Sequence, residues 1–166
     1  MASTTVTQTM QVRRDALFAW FIPVDLPRIL LGWGPLPAVV STQGQTGPWD
    51  APGSRRTVHL ADGSQAEEMV TACTTPSHFA YRVTGFTNPL IRALAQSAEG
   101  EWTFVPPEPD SAATEVTWTY RFIPRSALAA WPLRFVVRFL WRGYMQVGLS
   151  AMKRLAEAEA SGAPRA

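Results

Sequence analysis

The sequence predicts an α+β fold: a curved antiparallel sheet of seven strands wrapped around one long C-terminal helix, with two short helices after the first strand. Between residues 38 and 120, short strand-like segments follow one another, separated by turn signals such as "ADGS" and "TTPS". Beyond that region apolar residues recur at spacings of three and four, the period of a helix. The 166 residues, 46% of them hydrophobic, are expected to form a single domain over 1–166.

The first strand is predicted over residues 4–12, where apolar side chains alternate with threonine and glutamine. Asp15 is a suitable N-cap for a short helix, "ALFAWFI", which Pro23 ends. Asp25 begins a second short helix, "LPRILL". Six more strands are then predicted, at 38–45, 54–60, 65–73, 79–86, 98–105 and 114–123.

The long C-terminal helix is predicted to begin near Pro132, since proline fits the first turn of a helix, and to run to about Glu159. Residues 159–166 are predicted to be a frayed tail. The apolar stripe expected to face the sheet consists of Leu133, Val137, Leu140, Tyr144, Val147, Ala151 and Leu155.

The stretch "PLRFVVRFLWRGYMQVGL" has an arginine at every fourth position: Arg134, Arg138 and Arg142. Three arginines near the centre of a helix exclude a membrane span, because each would cost about 2.5–3.5 kcal/mol there. We expect them to face solvent or an anionic surface, which allows transient contact with a membrane. Residues 126–155 contain four arginines, one lysine and no acid, while the rest of the chain is net acidic.

Composition excludes several classes of protein. One cysteine and two histidines match no zinc-ligand spacing, so neither a disulfide nor a metal nor another cofactor is expected. The N-terminus has no cationic segment followed by an apolar run, which favours a cytoplasmic location. No nucleic-acid-binding motif is found, and the chain is expected to be a monomer or a homodimer.

Five phrases, in the right order along the chain, resemble the SRPBCC / START-like helix-grip superfamily, and within it the bacterial polyketide cyclase/dehydrase and lipid-transport branch. They are "DLPRIL", "GSRRTVHLADGS", "YRVTGF", "GEWTF" and "VTWTYRFIP". The resemblance implies a helix-grip fold with an apolar ligand held between the sheet and the C-terminal helix. It also implies that some relatives cyclise or dehydrate polyketides in that cavity.

The strand register decides which residues face such a cavity. A two-residue turn at Asp62 and Gly63 would place Arg55, Thr57, His59 and Glu68 on the inner face. A one-residue slip would bury Arg56 and Glu67 instead. Alternation in the later strands places an aromatic set on the inner face: Phe79, Tyr81, Val83, Trp102, Phe104, Val116, Trp118, Tyr120 and Phe122.

Two functions remain open at this stage. The first is binding or transport of a hydrophobic small molecule, such as a lipid, an isoprenoid or a polyketide-like compound. The second is a cyclase or dehydratase in which His59 is the acid or base, Glu68 orients it, and Arg55 or Tyr81 stabilises an enolate. A purely structural cluster of these polar groups is equally compatible with the sequence. The candidate ligand-binding residues are Arg55, Thr57, Tyr81, Trp102, Trp118 and Tyr120.

Overall fold

A computed structural model of the protein describes residues 1–162. It contains a seven-stranded antiparallel sheet with the order β1-β7-β6-β5-β4-β3-β2, which confirms the predicted fold class. The strands are β1 (Ala2–Met10), β2 (Val39–Gln43), β3 (Arg55–Leu60), β4 (Gln65–Thr74), β5 (His78–Thr84), β6 (Ala95–Val105) and β7 (Thr114–Pro124).

The helical elements are α1 (Arg14–Phe21), a 3₁₀ turn (Leu26–Arg28), α2 (Pro89–Leu94), α3 (Ala127–Phe135), a π-helical segment (Val136–Trp141) and α4 (Arg142–Ala160). The two short helices after β1 confirm the prediction, although the residue preceding α1 is Arg13 and Asp15 lies in its first turn. Helix α2 was not predicted; it lies between the strands predicted at 79–86 and 98–105. Asn88 caps it by accepting hydrogen bonds from the backbone N–H groups of Leu90 and Ile91.

The long helix begins earlier than predicted. Ser126 is its N-cap, with its hydroxyl accepting from the backbone N–H of Ala129, and Pro132 lies inside α3. A serine that satisfies a free N–H is therefore the start signal here. The helix continues to Ala160, so the tail predicted over 159–166 begins inside it. Residues 163–166 of that tail lie outside the described residues.

The π-helical segment rotates the second half of the long helix. The backbone N–H of Arg142 donates to the carbonyl of Val137, an i to i−5 bond, where an α-helix has i to i−4. The stripe predicted from an uninterrupted α-helix is therefore only partly correct. Leu133, Val137, Tyr144 and Ala151 are buried, whereas Leu140, Val147 and Leu155 are half-buried, and the fully enclosed positions include Met145, Leu149 and Met152.

The two faces of the sheet differ as the alternation predicted. Aromatic side chains of β5, β6 and β7 are buried on the inner face, where Trp102 stacks on Trp118 with ring centroids 4.3 Å apart. The outer face is polar, with Glu101 bonded to both Arg121 (2.7 Å) and His78 (3.1 Å). The hydrophobic core therefore lies between the inner face and the helices.

Polar contacts attach the short helical elements to the end of α4. Trp20 of α1 donates through Nε1 to the Glu159 carboxylate at 2.7 Å, and Arg28 of the 3₁₀ turn forms an ion pair with the same carboxylate. The long helix is thus held between the sheet and the early helical elements. Among the helices of residues 1–162, none is long and apolar enough to cross a membrane.

Candidate functional site

The turn between β3 and β4 sets the register that positions the candidate site. The backbone N–H of Leu60 donates to the carbonyl of Ser64 at 2.9 Å, so the loop has three residues rather than two. Gly63 occupies the left-handed region with a φ of 82°, as expected for the last residue of such a loop. The observed pairs are therefore His59 with Gln65 and Arg56 with Glu68.

The predicted register of this hairpin is wrong by one residue. Arg55, Thr57 and His59 lie on the outer face and do not meet Glu68 across the strands. The alternative register was half right, because Arg56 is buried but Glu67 is exposed. We therefore assign Arg55, Thr57 and His59 no part in the interior site.

Arg56 and Glu68 form a buried ion pair on the inner face. Arg56 Nε donates to Glu68 Oε2 at 2.8 Å, and only 8% and 11% of the two side chains are exposed. The guanidinium group of Arg56 also lies 3.8 Å from the centre of the Trp49 ring. Each charge thus has a compensating neighbour, which a charge in an apolar interior requires.

Two neighbouring cavities lie between the sheet and the helices. The larger has a volume of about 90 Å³ and the smaller one of about 30 Å³. Four residues border both cavities and so form the wall between them: Leu30, Glu68, Tyr81 and Trp118. The ion pair between Arg56 and Glu68 therefore lies at this wall.

The larger cavity is walled mainly by apolar side chains: Leu36, Pro37, Val39, Val58, Leu60, Ala66, Val83, Phe86 and Ile91. Tyr81, Tyr120 and Tyr144 add phenol groups to this wall. Burial raises the pKa of all three phenols, and the negative charge of Glu68 raises each of them further. The three phenols therefore stay protonated at neutral pH and can donate hydrogen bonds.

Two tryptophans also line the larger cavity, Trp118 and Trp141. Among residues 1–162, the buried indole nitrogen of Trp141 has no hydrogen-bond partner, whereas the Trp118 indole interacts with the phenol of Tyr81. A buried donor without an acceptor costs roughly 1–3 kcal/mol, so a molecule that brings an acceptor would gain from meeting it. The arrangement favours an apolar guest with an acceptor atom.

Comparison with known proteins agrees with this geometry. The family described as "Polyketide cyclase / dehydrase and lipid transport" matches residues 1–157. The chain belongs to this family. No curated protein matches it.

Solved structures of other proteins share the helix-grip arrangement. Ara h 8.0201 superposes with a TM-score of 0.70 at 14% identity, covering 93% of this chain and 96% of its own. The protein XoxI from Bacillus cereus gives 0.66 at 15% identity, covering 93% and 95%. Major latex-like protein 151 from Panax ginseng gives 0.66 at 12% identity, covering 93% and 97%. At these identities the similarity establishes the fold of this family member and nothing further.

The candidate residues of this polyketide cyclase/dehydrase and lipid-transport family member are only partly brought together. Tyr81, Trp118 and Tyr120 line the larger cavity, and Trp102 lines the smaller one. Sequence reasoning missed Trp141 and Tyr144 of the long helix as wall residues. The signal for them was the excess of aromatic residues on that helix, which exceeds what contact with one sheet requires.

We expect the three tyrosines of this family member to resist alkaline titration while the protein is folded. Their pKa values lie above the ordinary value of 10.0, whereas the unfolded chain releases phenol protons near that value. Stability is therefore retained below about pH 10 and falls as the pH rises above it. Tyrosinate absorbance should appear only as circular dichroism reports unfolding. A phenol that ionises near pH 10 in the folded protein would contradict the burial of these side chains.

Proposed function

We propose that this protein binds a small apolar molecule, carrying a neutral hydrogen-bond acceptor, in the larger cavity. The observation that carries the proposal is the mainly apolar cavity wall, in which the buried indole N–H of Trp141 has no hydrogen-bond partner among residues 1–162. The family to which the chain belongs is described by both lipid transport and polyketide cyclisation, which supports a hydrophobic ligand.

The volume of the cavity limits the size of the molecule. A volume of about 90 Å³ admits a small organic molecule but not a long acyl chain. This suits a compound of one or two rings, or a short branched chain. Among hydrophobic ligands, a polyketide-derived ring or a short isoprenoid therefore fits better than a lipid with two long chains.

The electrostatics favour a neutral acceptor, such as a ketone, an ester or an alcohol. Glu68 borders the cavity, and its charge already raises the pKa of the neighbouring phenols. A carboxylate ligand would be repelled by the same charge. Tyr81, Trp118, Tyr120 and Trp141 are the donors that we expect to hold the acceptor atom.

We expect replacement of Ala66 by phenylalanine to block binding. Ala66 is buried and lines the larger cavity, so a benzyl side chain there would occupy the space of the ligand. Prodan, a neutral two-ring ketone fluorophore, is a suitable probe, and its affinity should fall by about tenfold or more. The measurement is a fluorescence titration of the folded variant.

Ala80→Phe is the matched control, because Ala80 of the adjacent strand β5 lies on the outer face and pairs with Ala72 and Glu101. It should bind the probe as the unmodified protein does. In the same assay, Trp141→Phe keeps a ring in the wall but removes the N–H. It should therefore weaken binding of the ketone more than binding of the hydrocarbon analogue. Equal binding by the Ala66 and Ala80 variants would place the ligand outside this cavity.

A second candidate function is cyclisation or dehydration of a small carbonyl compound. It is favoured by the position of the Glu68 carboxylate, which borders the larger cavity and could accept a proton from a bound molecule. The two functions are separated by mass spectrometry of the molecule before and after incubation. A carrier returns it unchanged, whereas an enzyme returns an isomer or a product that has lost water.

A further inference from the structure

Helix α3 and the π-helical segment present a row of exposed apolar side chains. The apolar ridge consists of Leu128, Trp131, Phe135 and Phe139, whose exposed fractions are 89%, 80%, 59% and 51%. Spacings of three and four residues place them on one side of the helix. The rings of Phe135 and Phe139 are in contact, with centroids 4.8 Å apart. The ridge is therefore a continuous apolar surface that no other part of residues 1–162 covers.

Basic side chains accompany the apolar ridge. Arg134, Arg138 and Arg142 are all exposed, and the Arg138 guanidinium group lies 5.6 Å from the centre of the Phe139 ring. Residues 126–155 contain no acid that could neutralise them. An exposed apolar row flanked by arginines is the pattern of a helix that lies in the interface of a membrane.

We propose that the apolar ridge and its arginines dock this protein on the surface of an anionic lipid bilayer. Such a surface supplies both an apolar layer for the ridge and negative headgroups for the arginines. A second copy of the chain fits less well, because a twofold contact through the ridge would bring the uncompensated arginines of both copies together. Charge complementarity thus selects the bilayer.

The docking surface is continuous with the wall of the larger cavity. Trp141 ends the π-helical segment, Tyr144 is the third residue of α4, and both line the larger cavity. On α2, exposed Leu90 precedes cavity-lining Ile91. Docking would therefore place the cavity wall next to the bilayer, in which an apolar ligand accumulates. This goes beyond the proposed function and does not depend on it.

The test is flotation with vesicles of phosphatidylcholine, with and without phosphatidylglycerol, in the absence of any ligand. Trp131→Ser/Phe135→Ser removes the centre of the ridge, and Val40→Ser/Val105→Ser is its control, since both valines are exposed on other elements. Arg134→Gln/Arg138→Gln removes two charges, and Arg13→Gln/Arg55→Gln removes the same number from exposed positions elsewhere. Circular dichroism and sedimentation accompany every variant.

We expect the unmodified protein to float with anionic vesicles, more weakly at high salt, and to leave neutral vesicles largely unbound. Each ridge or arginine variant should lose about tenfold or more in partitioning while both controls keep it. Equal loss in a variant and its control would overturn the proposal, as would equal binding to neutral vesicles. A dimer that dissociates in the ridge variant would assign the ridge to self-association and overturn it also. Since the probe titration contains no vesicles, the two proposals fail independently.

Discussion

Replacing Glu68 by alanine is expected to lower the free energy of unfolding by about 3–5 kcal/mol. The side chain is 11% exposed, and its partner Arg56 is 8% exposed, so the substitution leaves a guanidinium group in the interior without its carboxylate. No other acid lies on the inner face of β4, where the neighbours of Glu68 are Ala66 and Val70. Equilibrium unfolding in urea measures the loss.

A matched control uses an ion pair of the same geometry on the outer face. Arg82 and Glu99 lie 3.0 Å apart with side chains 49% and 39% exposed. Glu99→Ala should cost under about 1 kcal/mol, since solvent compensates the remaining charge. The double variant Arg56→Met/Glu68→Leu should recover most of the stability lost in Glu68→Ala, because it removes both charges together. Similar losses in the Glu68 and Glu99 variants would show that burial of the pair has no energetic consequence.

The buried ion pair contributes to the polarity of the site more than to stability. Apolar residues of similar volume at both positions would stabilise the fold about as well. Yet Glu68 borders both cavities, and its charge acts on the phenols of Tyr81, Tyr120 and Tyr144. We infer that the pair is present because it keeps one part of an apolar cavity polar.

The inner aromatic face could be predicted from sequence because its signal is repeated. Each of β5, β6 and β7 alternates aromatic and polar residues, and an error of one residue would have buried Glu101, Thr117 and Arg121 together. The side of the sheet that faces the core was therefore determined by several strands at once.

The β3–β4 hairpin lacked such repetition. "RRTVHL" has an arginine at both of its first positions, and Asp-Gly is compatible with a two-residue or a three-residue loop. In the predicted register Val58 and Leu60 would have faced outward, which was the available sign of an error, whereas Met69 does lie on the outer face opposite Arg55. In the structure Asp62 Oδ1 accepts from the backbone N–H of Ser64 at 2.9 Å, and this contact belongs to the longer loop.

The residues of the long helix that line the cavity could not be predicted from sequence periodicity, for a different reason. The π-helical segment, with its i to i−5 bond at Arg142, changes which side chains face inward, and no residue pattern predicts it. An uninterrupted α-helix would place Leu140 and Val147 in the stripe that faces inward, but both are only half-buried in the structure. The indole nitrogen of Trp141 enters the interior instead.

Replacing Trp118 by alanine is the second change with a large expected effect, a loss of about 3–5 kcal/mol in the free energy of unfolding. Trp118 is 2% exposed, stacks on Trp102 and contacts Tyr120 edge-on at 6.1 Å. The helix passes close to it at Gly148, where an added Cβ would lie 3.5 Å from the indole. Its removal takes away packing from both the sheet and the helix, which urea unfolding will measure.

Trp131→Ala provides the control with the same substitution at an exposed position, and it should change stability by no more than about 0.5 kcal/mol. Because Trp118 is part of the wall between the cavities, its truncation should also join them into one larger space. Added indole should then bind in that space and raise the unfolding midpoint of Trp118→Ala but not that of Trp131→Ala. A small loss of stability with no response to indole would mean that the neighbouring side chains collapse into the space, and that the two cavities are not separated by Trp118.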